Sequence, residues 1–237
     1  MCGRFTLSSD DRMWLADAFG VPVEDLDEIS ELVIPRFNIA PTQEHWIVTA
    51  AGEDRAARRA SWGLVPDASR VREAARLINA RSEDLQRRPT YRDAFRERRC
   101  VVPADGFLEW IAGGTRVPRP YWFHRNDHGP LRFAGLYAEP LVVGGVARPA
   151  SFTILTTAAG DDVAPIHDRM PVLLANDVAV DSWLHAREPV DRLRALLRPA
   201  PAGTLARRAV SPRVNSVAND DPACLSEVEA ATQATLL

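Results

Sequence analysis

The residue pattern predicts an α+β fold, a single domain built on a curved, barrel-like and mostly antiparallel sheet flanked by helices. Three observations carry this. From Cys100 to Thr157 short strand-like runs follow one another at close spacing. Helical patterns collect toward the two ends of the chain, with little βαβ alternation between them. No repeat, low-complexity linker or composition break divides the 237 residues, a length that suits one large domain.

The elements follow in order. Ser8 or Ser9 can cap a helix through Asp10 to Phe19, with Met13, Leu15, Ala16 and Phe19 as its apolar positions. Gly20 and Pro22 end it. A loop is expected from there to Arg36–Pro41. Trp46–Ala50, the turn at residues 51–54 and Arg55–Trp62 read as a hairpin. A polar, arginine-rich stretch covers Asp67 to Arg76, and a short helix runs from Thr90 to about Arg98. Strands are predicted at Cys100–Val102, Gly106–Ile111, Pro120–His124, Leu131–Tyr137 and Ser151–Thr157. Turn signals separate them at Gly113-Gly114, Asn126–Gly129 and Gly144-Gly145. Helices return at Asp177–Ala186 and Val190–Leu197, and a last strand at Leu205–Val210. The domain is drawn over residues 1–222, with a loosely ordered tail at 223–237.

Bulk composition excludes several classes. The formal net charge is -3, so no global basic field announces nucleic acid, although a local basic cleft is compatible with it. Every basic residue counted in that charge is arginine, the better phosphate clamp. No basic n-region followed by an apolar h-region opens the chain, and no apolar run approaches ~20 residues. The three cysteines, Cys2, Cys100 and Cys224, are odd in number and widely spaced. That is neither a disulfide framework nor a zinc pattern, and a reducing cytoplasm fits. His124 and His128 straddle a turn with no Cys or carboxylate at a useful spacing, so a solvated hairpin is expected there and no metal or cofactor is assigned.

The chemistry begins at Met1-Cys2-Gly3-Arg4-Phe5. Removing Met1 would leave Cys2 with a free α-amine and a thiol on adjacent carbons. Their reference pKa values lie near ~8 and ~8.5, so both are partly nucleophilic at neutral pH. An amine condenses with an aldehyde to an imine, and a neighbouring thiol closes on it to a thiazolidine. An internal cysteine cannot do this, because its nitrogen is in an amide. Glu109 lies between Leu108 and Trp110, where burial would raise its pKa and suit it to proton transfer. On a strand it can equally face water or pair with an arginine. His167, in Ile166-His167-Asp168-Arg169-Met170-Pro171, is a general acid or base by its intrinsic pKa, or a capping histidine in a turn.

Ten segments together resemble one family, the SRAP proteins (SOS-response-associated peptidases or abasic-site processing proteins). They are Met1–Phe5, Arg36–Pro41, Trp62–Pro66, Ile78–Glu83, Cys100–Trp110, Pro120–Phe123, Phe133–Tyr137, Thr153–Ala158, Ile166–Pro171 and Val210–Asp221. The resemblance implies a single α+β domain around a barrel-like sheet with a positively charged channel. It implies binding of single-stranded DNA and a covalent cross-link to abasic sites through the N-terminal cysteine. The partner implied is therefore single-stranded DNA containing abasic sites, with no membrane, and the protein is expected to be a monomer. Carried over, the catalytic residues are Cys2, Asn79, Glu109 and His167. Arg4, Arg81 and Arg169 are expected at phosphates, with Asn38 and Pro41 lining the pocket and Thr156 or Thr157 offering a hydroxyl there. Self-removal of Met1 and a weak lyase side reaction are implied as well.

Two departures from the family pattern stand out. The tryptophans common just after the WG-x-x-P segment are absent from Asp67–Arg72, leaving Arg70, Arg72 and Arg76 to attract phosphates instead. Ala218 stands where a basic residue is frequent. Trp62 is read either as a buried strand residue or as a stacking platform. Two rivals remain open. Glutamine amidotransferases with an N-terminal nucleophile also begin Met-Cys-Gly, but here only those three residues overlap. A non-catalytic single-strand-binding module would need no Cys2 at all.

Overall fold

The computed structural model describes residues 2–111, 118–185 and 188–228. The turn expected at Gly113-Gly114, and residues 229–237 of the expected tail, lie outside them. The first third of the chain forms β1 (Arg4–Leu7), α1 (Arg12–Phe19), α2 (Val23–Glu28), β2 (Arg36–Ile39), β3 (Glu44–Ala51) and β4 (Asp54–Trp62). A 3-10 helix at Ala68–Arg76 leads to β5 (Asn79–Arg81) and α3 (Pro89–Glu97). Then come β6 (Arg99–Ala104), β7 (Gly106–Ile111), β8 (Arg119–Arg125), β9 (Leu131–Ala138), β10 (Leu141–Val143), β11 (Val146–Arg148) and β12 (Ala150–Ala158). The last elements are β13 (Arg169–Pro171), α4 (Asp177–Leu184), α5 (Val190–Leu196) and β14 (Leu205–Ala209), followed by 3-10 helices Pro212–Asn215 and Pro222–Leu225.

Local chemistry sets the clearest boundaries. Asp11 caps α1 by accepting from the Trp14 N–H at 3.1 Å, and Gly20 closes the helix in the left-handed region at φ 64. A side chain at Gly20 would also meet the Arg55 guanidinium at 2.6 Å. β3 and β4 pair from Glu44↔Ser61 to Ala51↔Asp54, leaving a two-residue turn.

The larger sheet closes on itself. β12 runs parallel to β4 and antiparallel to β9, β4 pairs β3, β3 pairs β6, and β6 pairs β9. β5 and β13 add to the far end of β12. The second sheet has the order β14-β8-β7-β1-β2. Phe5 joins the two, edge-on to His45, Trp62 and Phe133 at 5.0, 5.1 and 6.0 Å between centroids. The fold is thus α+β with a curved, barrel-like sheet, as the residue pattern predicts.

Differences from the expected elements share one cause. β1, β2, β5 and β13 are three or four residues long, too short for a period of two to register. Neighbouring strands supply their hydrogen bonds, so pairing overrides local propensity. The expected loop after Gly20 contains α2. The chain stays packed past residue 222. Cys224 is fully buried with Leu108, Val210, Val214 and Leu225, and Glu227 bridges Val210. Cys224 and Leu225 thereby cover the outer face of β7 and β8.

Candidate active site

The chain start is a working part of the sheet. β1 lies between β7 and β2, with Arg4 opposite Leu108 and Phe5 opposite Phe107. Cys2, just ahead of β1, is fully buried in the core. Burial pushes the thiol well above its ordinary value, and the Glu109 carboxylate pushes it further. Its Sγ sits 3.7 Å from the Arg4 carbonyl.

Asn79 bonds this first peptide, Glu109 acts on Cys2 through its charge, and His167 acts on Glu109. Asn79 opens β5, placed by the pairing of that strand with Ile154 of β12. Its Nδ2 donates to the Cys2 carbonyl at 2.8 Å. Its Oδ1 is buried with no hydrogen-bond partner among the described residues. Glu109 points inward on β7 and is 3% exposed. Burial raises its pKa, while the charge of His167 acts in the opposite sense. His167 ends the turn after Gly160, its N–H donating to the Val163 carbonyl at 3.1 Å. Its Nδ1 accepts from the Arg169 N–H at 2.9 Å and also lies 2.9 Å from Asp168 Oδ1.

The residues expected to bind DNA separate into different roles. Arg4 is half-buried, and its Nη1 donates to Asn38 Oδ1 at 2.8 Å and to the Val214 carbonyl at 3.1 Å. Its guanidinium lies 5.8 Å from the Trp110 ring centroid. Gly3, Arg4, Trp110, Pro118 and Asn215 line an open cavity of about 450 Å³ beside Cys2. Asn38 is fully buried and acts as a clamp, its Nδ2 donating to the carbonyls of Val214, Ser216 and Asn219. Pro41 sits in the turn between β2 and β3. Arg81 ends β5 opposite Thr156 and is exposed. Thr156 is fully buried. Arg169 is tied down, donating to the Thr156 carbonyl at 2.7 Å and to Glu83 Oε1 at 2.5 Å. That ion pair lowers the Glu83 pKa to about 2.

Two partners escaped the sequence reading. Asp220 accepts from the N–H groups of Phe37 and Asn38 at 2.6 and 2.9 Å. Asn215 Oδ1 accepts from Trp110 Nε1 at 2.7 Å. Both fall in the quoted Val210–Asp221 segment, which was the only signal for them. Trp62 is a buried strand residue, its Nε1 donating to the Ile78 carbonyl at 2.9 Å. Among the described residues, no group of three or more His, Cys, Asp or Glu is placed to hold a metal ion.

The family description "SOS response associated peptidase (SRAP)" matches residues 1–217. The chain belongs to the SRAP family. Among SRAP relatives, the abasic site processing protein YoaM of Bacillus subtilis is 33% identical over 226 residues, covering 93% of this chain and 95% of that protein. The abasic site processing protein HMCES of Gallus gallus is 32% identical over 219 residues, covering 79% of this chain and 62% of that protein. A solved structure from Bacteroides thetaiotaomicron superposes with a TM-score of 0.81 at 20% identity, covering 96% of this chain and all (100%) of that one. It supports the fold alone. No helix among the described residues is long and apolar enough to cross a membrane.

Proposed function

We propose that this chain captures abasic sites in single-stranded DNA by a covalent bond to Cys2, once Met1 has been removed. One observation carries the reading: Asn79 donates to the Cys2 carbonyl, and the buried Glu109 lies near enough for its charge to raise the Cys2 thiol while His167 acts on Glu109 in turn. The names of the relatives supply the substrate class.

The chemistry follows from the site. An abasic sugar is mostly a closed hemiacetal, and His167 assists its opening by moving a proton at the sugar oxygen. The freed Cys2 amine attacks C1′ and gives a carbinolamine. Glu109, whose raised pKa keeps a proton on it nearer neutrality, protonates the leaving hydroxyl, and water departs. The Cys2 sulfur then adds to the imine carbon, and its proton returns to the carboxylate. The balance is aldehyde plus aminothiol giving thiazolidine plus one water. Asn79 fixes the Cys2 carbonyl, and its unpartnered Oδ1 is an acceptor for the amine or a sugar hydroxyl. Holding amine, thiol and aldehyde together supplies rate through effective concentration. The imine also permits β-elimination of the 3′ phosphate, so weak lyase activity accompanies capture. With Met1 in place the Cys2 nitrogen is in an amide and cannot attack the aldehyde, and removal of Met1 by the protein itself is part of this reading. The reading also takes the protein to be a cytoplasmic monomer.

The test is incubation with a single-stranded oligonucleotide carrying one abasic site, followed by denaturing electrophoresis and intact mass. The expected product is protein lacking Met1 joined to DNA with loss of one water, absent in Cys2→Ala. Loss of Met1 without any adduct would sink the proposal and favour an amidohydrolase. A DNA complex that Cys2→Ala leaves unchanged in denaturing gels would also sink it.

A further inference from the structure

A second cavity lies between the β8–β9 turn, the chain that follows β13 and the end of α5. Its volume is about 670 Å³, within the range that takes a drug-sized organic molecule. It shares no lining residue with the cavity beside Cys2. Its walls are tied to one another. The Asn126 N–H donates to the Thr204 carbonyl at 3.1 Å, and the Asn126 side chain donates to the Gly203 carbonyl. The turn is thereby fastened to the chain ahead of β14. On the opposite side the Leu174 N–H donates to the Arg132 carbonyl at 2.9 Å. Leu131, Leu173, Leu174 and Leu196 make one wall apolar.

The charged groups of the lining are mostly cationic. Arg125, Arg132 and Arg198 face the cavity against a single carboxylate, Asp127. Arg125 holds Asp127 at 2.5 Å, so Arg132 and Arg198 have no carboxylate within the lining. Arg198 is exposed, and no hydrogen bond or ion pair holds it among the described residues. The Arg132 side chain is only 13% exposed. Its Nη2 donates to the Ala18 carbonyl at 2.7 Å. The same nitrogen stands 3.8 Å from Asp177, a carboxylate that Arg55 holds at 2.9 Å. The Nε of Arg132 is buried and has no hydrogen-bond partner among the described residues. A buried charged donor left unpaired is costly, and an anionic oxygen bound in the cavity would supply its acceptor.

We infer that this cavity binds an apolar monocarboxylate of the fatty-acid type. Its alkyl body lies on Leu131, Leu173, Leu174 and Leu196, and its carboxylate is held by Arg132 and Arg198. The two features of the lining select this class together. A small polyanion would leave the leucine wall bare, and a neutral apolar molecule would leave the Arg132 donor unpaired. The inference uses no residue of the abasic-site reading and stands apart from it.

The experiment is calorimetric titration of the full chain with octanoate, decanoate, octanol and inorganic phosphate. Decanoate should bind roughly tenfold more tightly than octanoate, because two further methylenes are buried. Octanol should bind about tenfold more weakly than octanoate, because it brings no charge to the arginines. Phosphate should bind more weakly than either acid. The NMR signal of the Arg132 Nε–H, assigned by its loss in Arg132→Lys, should move downfield and exchange more slowly when decanoate is added. Arg198→Gln should weaken decanoate binding about tenfold, and Ala179→Trp, which fills the cavity, should abolish it. Arg198 is exposed and unpaired, so its variant keeps the test open even where Ala179→Trp fails to fold. No binding of decanoate, equal binding of octanol and octanoate, phosphate binding as tight as that of decanoate, or unchanged affinity in either folded variant would overturn the inference.

Discussion

The side-chain amide of Asn79 donates a 2.8 Å hydrogen bond to the backbone carbonyl of Cys2, across 77 positions of sequence. The bond fixes Cys2 at its carbonyl, and in the proposed reaction that leaves the amine of the processed chain free. Asn79 is itself fixed by strand pairing rather than by its neighbours in sequence, since β5 runs parallel to β12. The partner of Cys2 is thus positioned by the barrel.

Asn79→Ala should slow adduct formation about 100-fold, the cost of a misplaced nucleophile, with little change in noncovalent DNA affinity. Single-turnover gels against anisotropy separate the two. An unchanged rate would remove Asn79 from the reaction.

Glu109→Gln should slow adduct formation, because an amide cannot pass a proton to the carbinolamine. It should also change the pH dependence of stability. Burial raises the carboxyl in the fold above its unfolded value of about 4.3. Wild-type stability is therefore full below that unfolded value and is lost as pH rises through the raised folded one. The Tm advantage of Glu109→Gln should grow from pH 4 toward pH 8. A constant difference would show that Glu109 is not desolvated.

His45 gives the opposite sign. It is buried beside Phe5, its Nε2–H donating to the Pro103 carbonyl at 3.0 Å, and burial pushes its pKa down to about 3. The unfolded chain takes up a proton near pH 6.5 and the fold does not. Stability is present above about 6.5 and is lost as pH falls toward 3. His45→Phe should be less acid-sensitive over that window, read as the pH dependence of Tm.

Asn38→Ala should cost roughly 3 kcal/mol, since three carbonyls lose a donor and Arg4 loses an acceptor in a buried setting. Amide exchange should rise most in residues 214–220. Uniform destabilisation without that local signature would count against a clamp.

A double-mutant cycle on Glu83 and Arg169 should give about 1 kcal/mol, because Glu83 is half-exposed and screened. Its carboxyl is lowered to about 2, so the coupling should persist above about pH 4.3 and vanish as pH falls through 2. Undiminished coupling at pH 2 would show that Glu83 ionisation does not drive it.

The parts legible in sequence are those fixed by nearby residues. The β3–β4 hairpin declares itself by two strands and a short turn, and α1 by its closing Gly20. Glu109 could be suspected because Leu108 and Trp110 flank it, though its face could not be read. Arg169 looked like Arg4 or Arg81 in sequence, yet Glu83 holds it. Asn38 looked like a pocket residue and is a buried clamp. Such distinctions depend on partners tens to hundreds of positions away.

By itself the sequence determined the chemical repertoire, an N-terminal cysteine with an amide, a carboxyl and an imidazole in reserve, and a chain that must close a strand-rich sheet. The tertiary structure decided which of these meet. β1 is short and gains its place only from β7 and β2, so the position of Cys2 is a property of the sheet. Burial then sets the proton affinities of Cys2, Glu109 and His45. Desolvation depends on the whole surroundings of a group, which no stretch of neighbouring residues specifies.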